Sequence, residues 1–311
     1  MALIISETFG FAVQDRSEAA QAQRRSEICP FSQKLCWKRF RSGGRINGVC
    51  AGKQTNSDEV IICPDRLYAE SFKILEEIVD IAFGTGMKLI PSSEVASTQG
   101  QANRIVAFGK HWGKELRVPK NDSDAKDYSA DWILAKISAD GTLEEFVPVE
   151  VQSIDTTGSY QKQWYALEGL ELPASPQPTT TPGLNWENVN KRIIPQLLAK
   201  GNIFGGENLC RKGLFFVCPS GVYKRLLERL GAGLSARPMN PGTLTFRWYD
   251  LEAAGTPGQI RRLVLKGQFT TTVQNFRDAY NSTLKLPSID AMQRRISKAL
   301  EEASEPRKKR S

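Results

Sequence analysis

Apolar positions along this chain follow two rhythms. In "PDRLYAESFKILEEIVDIAF", residues 64–83, Phe72, Leu75, Ile78, Val79 and Phe83 recur at the spacing of one helix face. Pro64 suits the first helical turn and Gly84 a stop. "SEAAQAQRRSE" near the start, and "VQNFRDAYNS" and "SIDAMQRRISKALEEA" late in the chain, are also helical. A two-residue rhythm predicts strands in "RIVAFGKHW", "KELRV", "DWILAKI" and "LEEFVPVEVQSI", the last two joined by the hairpin signal Asp140-Gly141. "RKGLFFVCPSGVYKRLLERLG" reads as a buried strand followed by a helix. "GTLTFRWYDLE" and "QIRRLVLKGQFTTTV" read as a further hairpin. Pro195 interrupts the helical stretch "LNWENVNKRIIPQLLAKGNIF" and predicts a kink or break. "NDSDAKDYSAD" is a polar connector, and "LPASPQPTTTPG" a loop or linker. This mixed order predicts an α/β domain around a central sheet.

A length of 311 residues allows one large domain or two. No run of about 18 apolar residues suggests a membrane span. The start "MALIISETFGFAV" lacks a basic n-region and carries Glu7, so it does not read as a secretion signal, and the cytoplasm is the default location. The net charge of +8 and the pI near 9.2 suit a polyanion, nucleic acid first. The terminal "PRKKRS" adds a basic tail.

Without a secretion signal, the six cysteines are expected to be reduced. Four fall early, Cys29, Cys36, Cys50 and Cys63, in a basic, turn-rich segment with little periodicity outside its one helix. A segment with so small a core needs a staple, and four thiolates around one zinc or iron would provide it. The alternative is four buried or scattered free thiols. Cys218, in "LFFVC", reads as core. His111 is the only histidine, which excludes histidine triads and multi-histidine metal sites.

Two acids frame the hairpin. Asp131 opens "DWILAKI" and Glu150 lies near the end of the return strand, each about nine residues from the turn. They should therefore face each other, with Gln152 on the same face as Glu150. Magnesium takes hard oxygen ligands from one or two carboxylates, and this pattern would supply them. Asp131 … Glu150-Val151-Gln152 has the arrangement of a PD-(D/E)XK nuclease core with Gln in the lysine position. The bland reading is a hairpin with a wet face. The apolar surroundings in "VPVEV" favour a central strand, where carboxylates are costly.

Taken together, "FGFAV", "ICPFSQKLC", "GVC", "VIICPDR", "KELRV", "DWILAKI", "VEVQS" and "KRIIPQLLAKGNIF" make the chain resemble the NotI-like type II restriction endonucleases over roughly Phe9 to Phe204. The resemblance implies a mixed central sheet flanked by helices, with a small N-terminal metal-binding module. It implies a structural iron on Cys29, Cys36, Cys50 and Cys63, with zinc as the alternative. It further implies catalytic magnesium on Asp131 and Glu150, with Gln152 in place of lysine and Glu115 as an additional acid. Family members act as homodimers on long GC-rich palindromes in double-stranded DNA, leave 5′-phosphates and accompany a protecting methyltransferase in a restriction-modification system. The expected division is a metal module over 1–64, the endonuclease core over 65–300, and a basic disordered tail over 301–311. The competing reading is a non-enzymatic DNA-binding protein with a metal-stapled module.

Overall fold

The computed structural model describes residues 2–40, 44–119, 128–172, 181–253, 256–282 and 290–304. Most of the polar connector, the middle of the Pro/Thr-rich loop and the end of the basic tail lie outside the described residues.

The N-terminal segment is more ordered than its composition suggests. Strands β1 (Leu3–Thr8) and β2 (Phe11–Ala12) are followed by helix α1 (Glu18–Ser26), then by β3 (Val49–Gln54) and β4 (Glu59–Ile61). The strands form a four-stranded sheet in the order β2-β1-β3-β4. Ser17 caps α1 by accepting the Ala20 N–H, and Glu27 closes it in the left-handed region.

Pro64–Tyr68 forms a 3₁₀ turn that leads into α2 (Ala69–Phe83), and the helix stops at Gly84, at φ +91°. Glu70, Ser71 and Phe72 are left-handed, so the regular helix starts later than its stripe predicts. This costs roughly 1–2 kcal/mol per residue. It goes with a Phe72 ring packed against Tyr68, Trp112 and Trp132.

Beyond α2 come β5 (Lys88–Pro91), β6 (Arg104–Gly109), β7 (Trp132–Ile137) and β8 (Leu143–Val151). Next are the short β9 (Thr156–Thr157), α3 (Gln161–Leu167) and the short β10 (Gly183–Leu184). A π-helical turn at Val189–Ile193 runs directly into α4 (Ile194–Gly205). Pro195 lies in the first turn of α4, where its missing N–H costs nothing, so the sequence break becomes a change of helical register. The remaining elements are β11 (Leu214–Pro219), α5 (Ser220–Leu230), β12 (Thr243–Leu251), β13 (Leu263–Thr272), α6 (Val273–Ser282) and α7 (Ala291–Ser304). Residues 301–304, expected in a disordered tail, are the last turn of α7.

The protein is α/β, with a mixed seven-stranded sheet in the order β13-β12-β11-β8-β7-β6-β5. β8 is its middle strand, antiparallel to β7 and parallel to β11. Alternate β11 residues enter opposite cores. Leu214, Phe216 and Cys218 meet α4, α5 and α6, whereas Phe215 and Val217 meet α2 and the cysteine-bearing segment. Residues of the N-terminal segment contribute to both cores, so packing is continuous across position 64. "KELRV" departs from its predicted strand. Residues 114–118 are irregular apart from one bridge, between Arg117 and Ser129. No helix among the described residues is long and apolar enough to cross a membrane.

Candidate active site

Hairpin register assembles the site. Trp132 pairs with Val149, so the next positions outward bring Asp131 beside Glu150. Trp132 and Val149 point into the α2 core, which turns the two acids toward the α4 side. The Val151 N–H donates to Asp131 Oδ2 at 2.9 Å, and the Asp131 backbone works against the rise in the proton affinity of Glu150. Glu150 is 7% exposed.

Burial dominates the proton affinity of both groups. It pushes the Asp131 carboxyl above the usual range, against the Val151 N–H and the charges of Lys200 and Lys110. Burial and then the Asp131 charge push Glu150 up to about 7, while Lys200 pulls it down. These are two acids with a shared excess of negative charge and too little water to screen it.

Lys200 is the partner that sequence reading missed. Its Nζ reaches Glu150 Oε2 at 2.6 Å, with the two side chains 11% and 10% exposed. It projects from the face of α4 that also buries Ile194, Leu197, Gly201 and Phe204. A lysine on an apolar helical stripe was the available signal. Gly201 lets the helix approach closely, because a Cβ there would come within 2.6 Å of Val273 Cγ2.

Gln152 follows on the strand but is turned aside. Its N–H binds the Val217 carbonyl, and its Nε2 donates to the Ser153 carbonyl at 3.1 Å. Glu115 is exposed and accepts the Ser129 hydroxyl at 2.7 Å. Its charge is felt by Asp131, so it belongs to the neighbourhood without touching the pair. A cleft of about 460 Å³, lined by Tyr128, Ser129, Lys191, Arg192, Gln196 and Lys200, opens beside the acids. Arg192 is partly neutralised by Asp155 at 3.2 Å.

The donor set suits a hard cation: two buried carboxylates raised toward protonation, with an ammonium already supplying positive charge at Glu150. The cysteine region differs. Cys29, Cys36, Cys50 and Cys63 are all buried within one core cluster, and each of the last three feels the charge of others in the quartet. Burial raises Cys36 and Cys50, and takes Cys63 up to about 12. The donors are soft and desolvated, as a thiophilic ion requires. Even so, no group of three or more His, Cys, Asp or Glu among the described residues is placed as a metal site. Cys210 and Cys218 are buried apart from the quartet.

His111 stands outside the acid pair. It stacks on Trp132 and faces Asp65, with Nε2 3.7 Å from Oδ1. Burial lowers its pKa, so it is neutral near pH 7. No family model and no curated protein matches the chain.

Proposed function

We propose that this chain is a divalent-cation-dependent endodeoxyribonuclease with the PD-(D/E)XK core, acting as a type II restriction endonuclease. The observation that carries the reading is the Asp131–Glu150 pair on the middle of the sheet, with Asp131 held by the Val151 N–H and Glu150 by Lys200, which also lines a cleft bearing Lys191 and Arg192. Carboxylates that avid for positive charge beside basic side chains suit a phosphodiester substrate. The residue pattern shared with NotI-like enzymes supports DNA as that substrate, a homodimer as the acting form and a GC-rich palindrome as the target. The net charge of +8 supports a nucleic-acid partner independently.

Asp131 and Glu150 would hold magnesium, which supplies Lewis-acid polarisation of the phosphate and a more acidic water when bound. The chain's own residues do the rest. The Val151 N–H fixes the Asp131 carboxylate and Lys200 fixes that of Glu150. The α4 face shields one side from bulk water, and the cleft residues grip the phosphates. Hydrolysis joins the water oxygen to phosphorus as the bond to the 3′-oxygen breaks, leaving a 5′-phosphate. Cys29, Cys36, Cys50 and Cys63 would hold a structural iron or zinc away from this chemistry, since four thiolates leave no open position.

The test is a digest of phage and plasmid DNA with magnesium, followed by sequencing of the ends. Discrete fragments with one recurrent terminal sequence are expected. Intact DNA across a broad set of templates would overturn the reading. One feature favours a second, non-catalytic DNA-binding reading: a cavity of about 650 Å³ lined by Arg16, Arg24, Arg25 and Arg45, beside the cysteine segment. That reading expects retarded but uncut DNA.

A further inference from the structure

Position 152 cannot supply a cation to the site, and Lys200 can. Gln152 is uncharged, and its amide is committed to the neighbouring backbone. Lys200 comes from a different element, 50 residues along the chain, yet its ammonium ends on Glu150 beside Asp131. Fold stability alone does not call for such a pair. Two desolvated ions often contribute no more than an apolar pair of similar volume. The helix is nonetheless held close by Gly201, and Lys200 also lines the one wall of the cleft that α4 provides. A charge this deep, at the boundary between an acid pair and a basic cleft, sits where a phosphate oxygen would arrive.

We propose that Lys200 is the catalytic lysine of this site, delivered from α4 instead of from the strand position that Gln152 occupies. The inference rests on the nuclease reading and goes beyond it. Without a bound cation, the ammonium neutralises Glu150. With a divalent cation held by Glu150, the ammonium would be free to turn toward the cleft it lines and to contact a nonbridging oxygen of the scissile phosphate. As water oxygen bonds to phosphorus and the bond to the 3′-oxygen breaks, the water proton leaves to solvent and the departing oxygen takes a proton from solvent. Lys200 keeps its own proton throughout and acts only by charge. One consequence separates this role from a scaffold role. The ammonium competes with a cation for Glu150, so its removal should strengthen cation binding while weakening catalysis.

Lys200→Met in the full-length protein is the direct test, with Mn²⁺ binding to the DNA-free protein followed by electron paramagnetic resonance and cleavage followed with Mg²⁺. Cleavage is expected to fall about 10²–10³-fold. Mn²⁺ should bind severalfold more tightly than to the wild type. Cleavage within a few-fold of wild type overturns the proposal. So does a joint loss of cleavage and Mn²⁺ affinity, which would mean that Lys200 merely holds Glu150 in place. If Lys200→Met does not fold, Lys200→Gln keeps a hydrogen-bond donor for Glu150 without the charge and gives the same two readings. A wild-type protein that cuts no DNA refutes the nuclease reading separately, and the Mn²⁺ titration still decides whether Lys200 competes for Glu150.

Discussion

The cysteine segment and the acid pair both bury side chains of metal-ligating type, and they handle charge in different ways. The acid pair carries its own counter-ion, with Lys200 at 2.6 Å from Glu150 and the Val151 N–H turned onto Asp131. At the cysteine quartet, burial outweighs the nearby charges of Lys38 and Arg66 and keeps Cys36, Cys50 and Cys63 protonated, as neutral thiols that tolerate a dry core. Burial raises the carboxyls as well, but Glu150 only to about 7, so near neutral pH the acid site leans on the Lys200 ammonium as well as on a proton. It would meet a cation partly ionised, whereas the sulfur site would have to lose its protons to bind one.

The sharpest break of this comparison is removal of one acid. Asp131→Ala or Glu150→Ala should reduce cleavage by more than about 10³-fold while leaving DNA retardation intact, because the cleft cations remain. Full cleavage by either variant would remove the pair from the chemistry. Next comes the buried ion pair beside the cysteines, Arg66 to Glu7 at 2.6 Å, with both side chains fully buried. Arg66→Met leaves Glu7 without that partner and should destabilise the fold by about 3–5 kcal/mol in denaturant titrations. A loss under about 1 kcal/mol would show that Arg261, 3.5 Å from Glu7, suffices.

The pH dependence of stability sharpens the contrast further. Glu150 is raised from an ordinary 4.5 to about 7, so the folded state binds its proton more tightly than the unfolded state does. Its stabilising proton is present below about pH 4.5 and lost as pH rises through 7, a decline on the order of 3 kcal/mol for the cation-free protein. Glu150→Gln should flatten that slope, and melting curves from pH 5 to 8 would show whether it does. At the sulfur site, elemental analysis of purified protein should find about one iron or zinc per chain. Protein free of both metals yet fully folded would leave the quartet as neutral core. The smallest effect is expected at Gln152→Ala, below about tenfold in rate, because its amide serves only its own backbone. A loss as deep as that of Glu150→Ala would reverse the roles assigned to Gln152 and Lys200.

The hairpin was legible in the sequence because one period and one turn define it. Alternation fixes the faces, Asp140-Gly141 fixes the turn, and equal counts from the turn bring Asp131 to Glu150. The bulge between Lys136 and Ile137 lies close to the turn and leaves the outer register intact. The N-terminal sheet was not legible. β3, "VCAGKQ", is buried along its first four residues and does not alternate, and its partner β1 lies more than 40 residues earlier. "KELRV" misled because five residues of alternation fit an irregular edge as well as a strand. Lys200 was hidden for a different reason. Its partner is decided by how α4 packs on the sheet, and helix periodicity alone marks it only as a misfit.

The ion pairs around Arg66 have a consequence for the order of synthesis. Arg66 donates to Glu7 and to the carbonyl of Arg261, and Arg261 reaches both Glu7 and Glu59. A chain emerging from the ribosome has Glu7, Glu59 and Arg66 in hand, and then waits for 195 further residues before the last member appears. At about 5–20 residues per second, that wait lasts roughly 10–40 s. Until Arg261 is made, Glu7, Glu59 and Arg66 lack the residue that joins them, so this charged core is completed late.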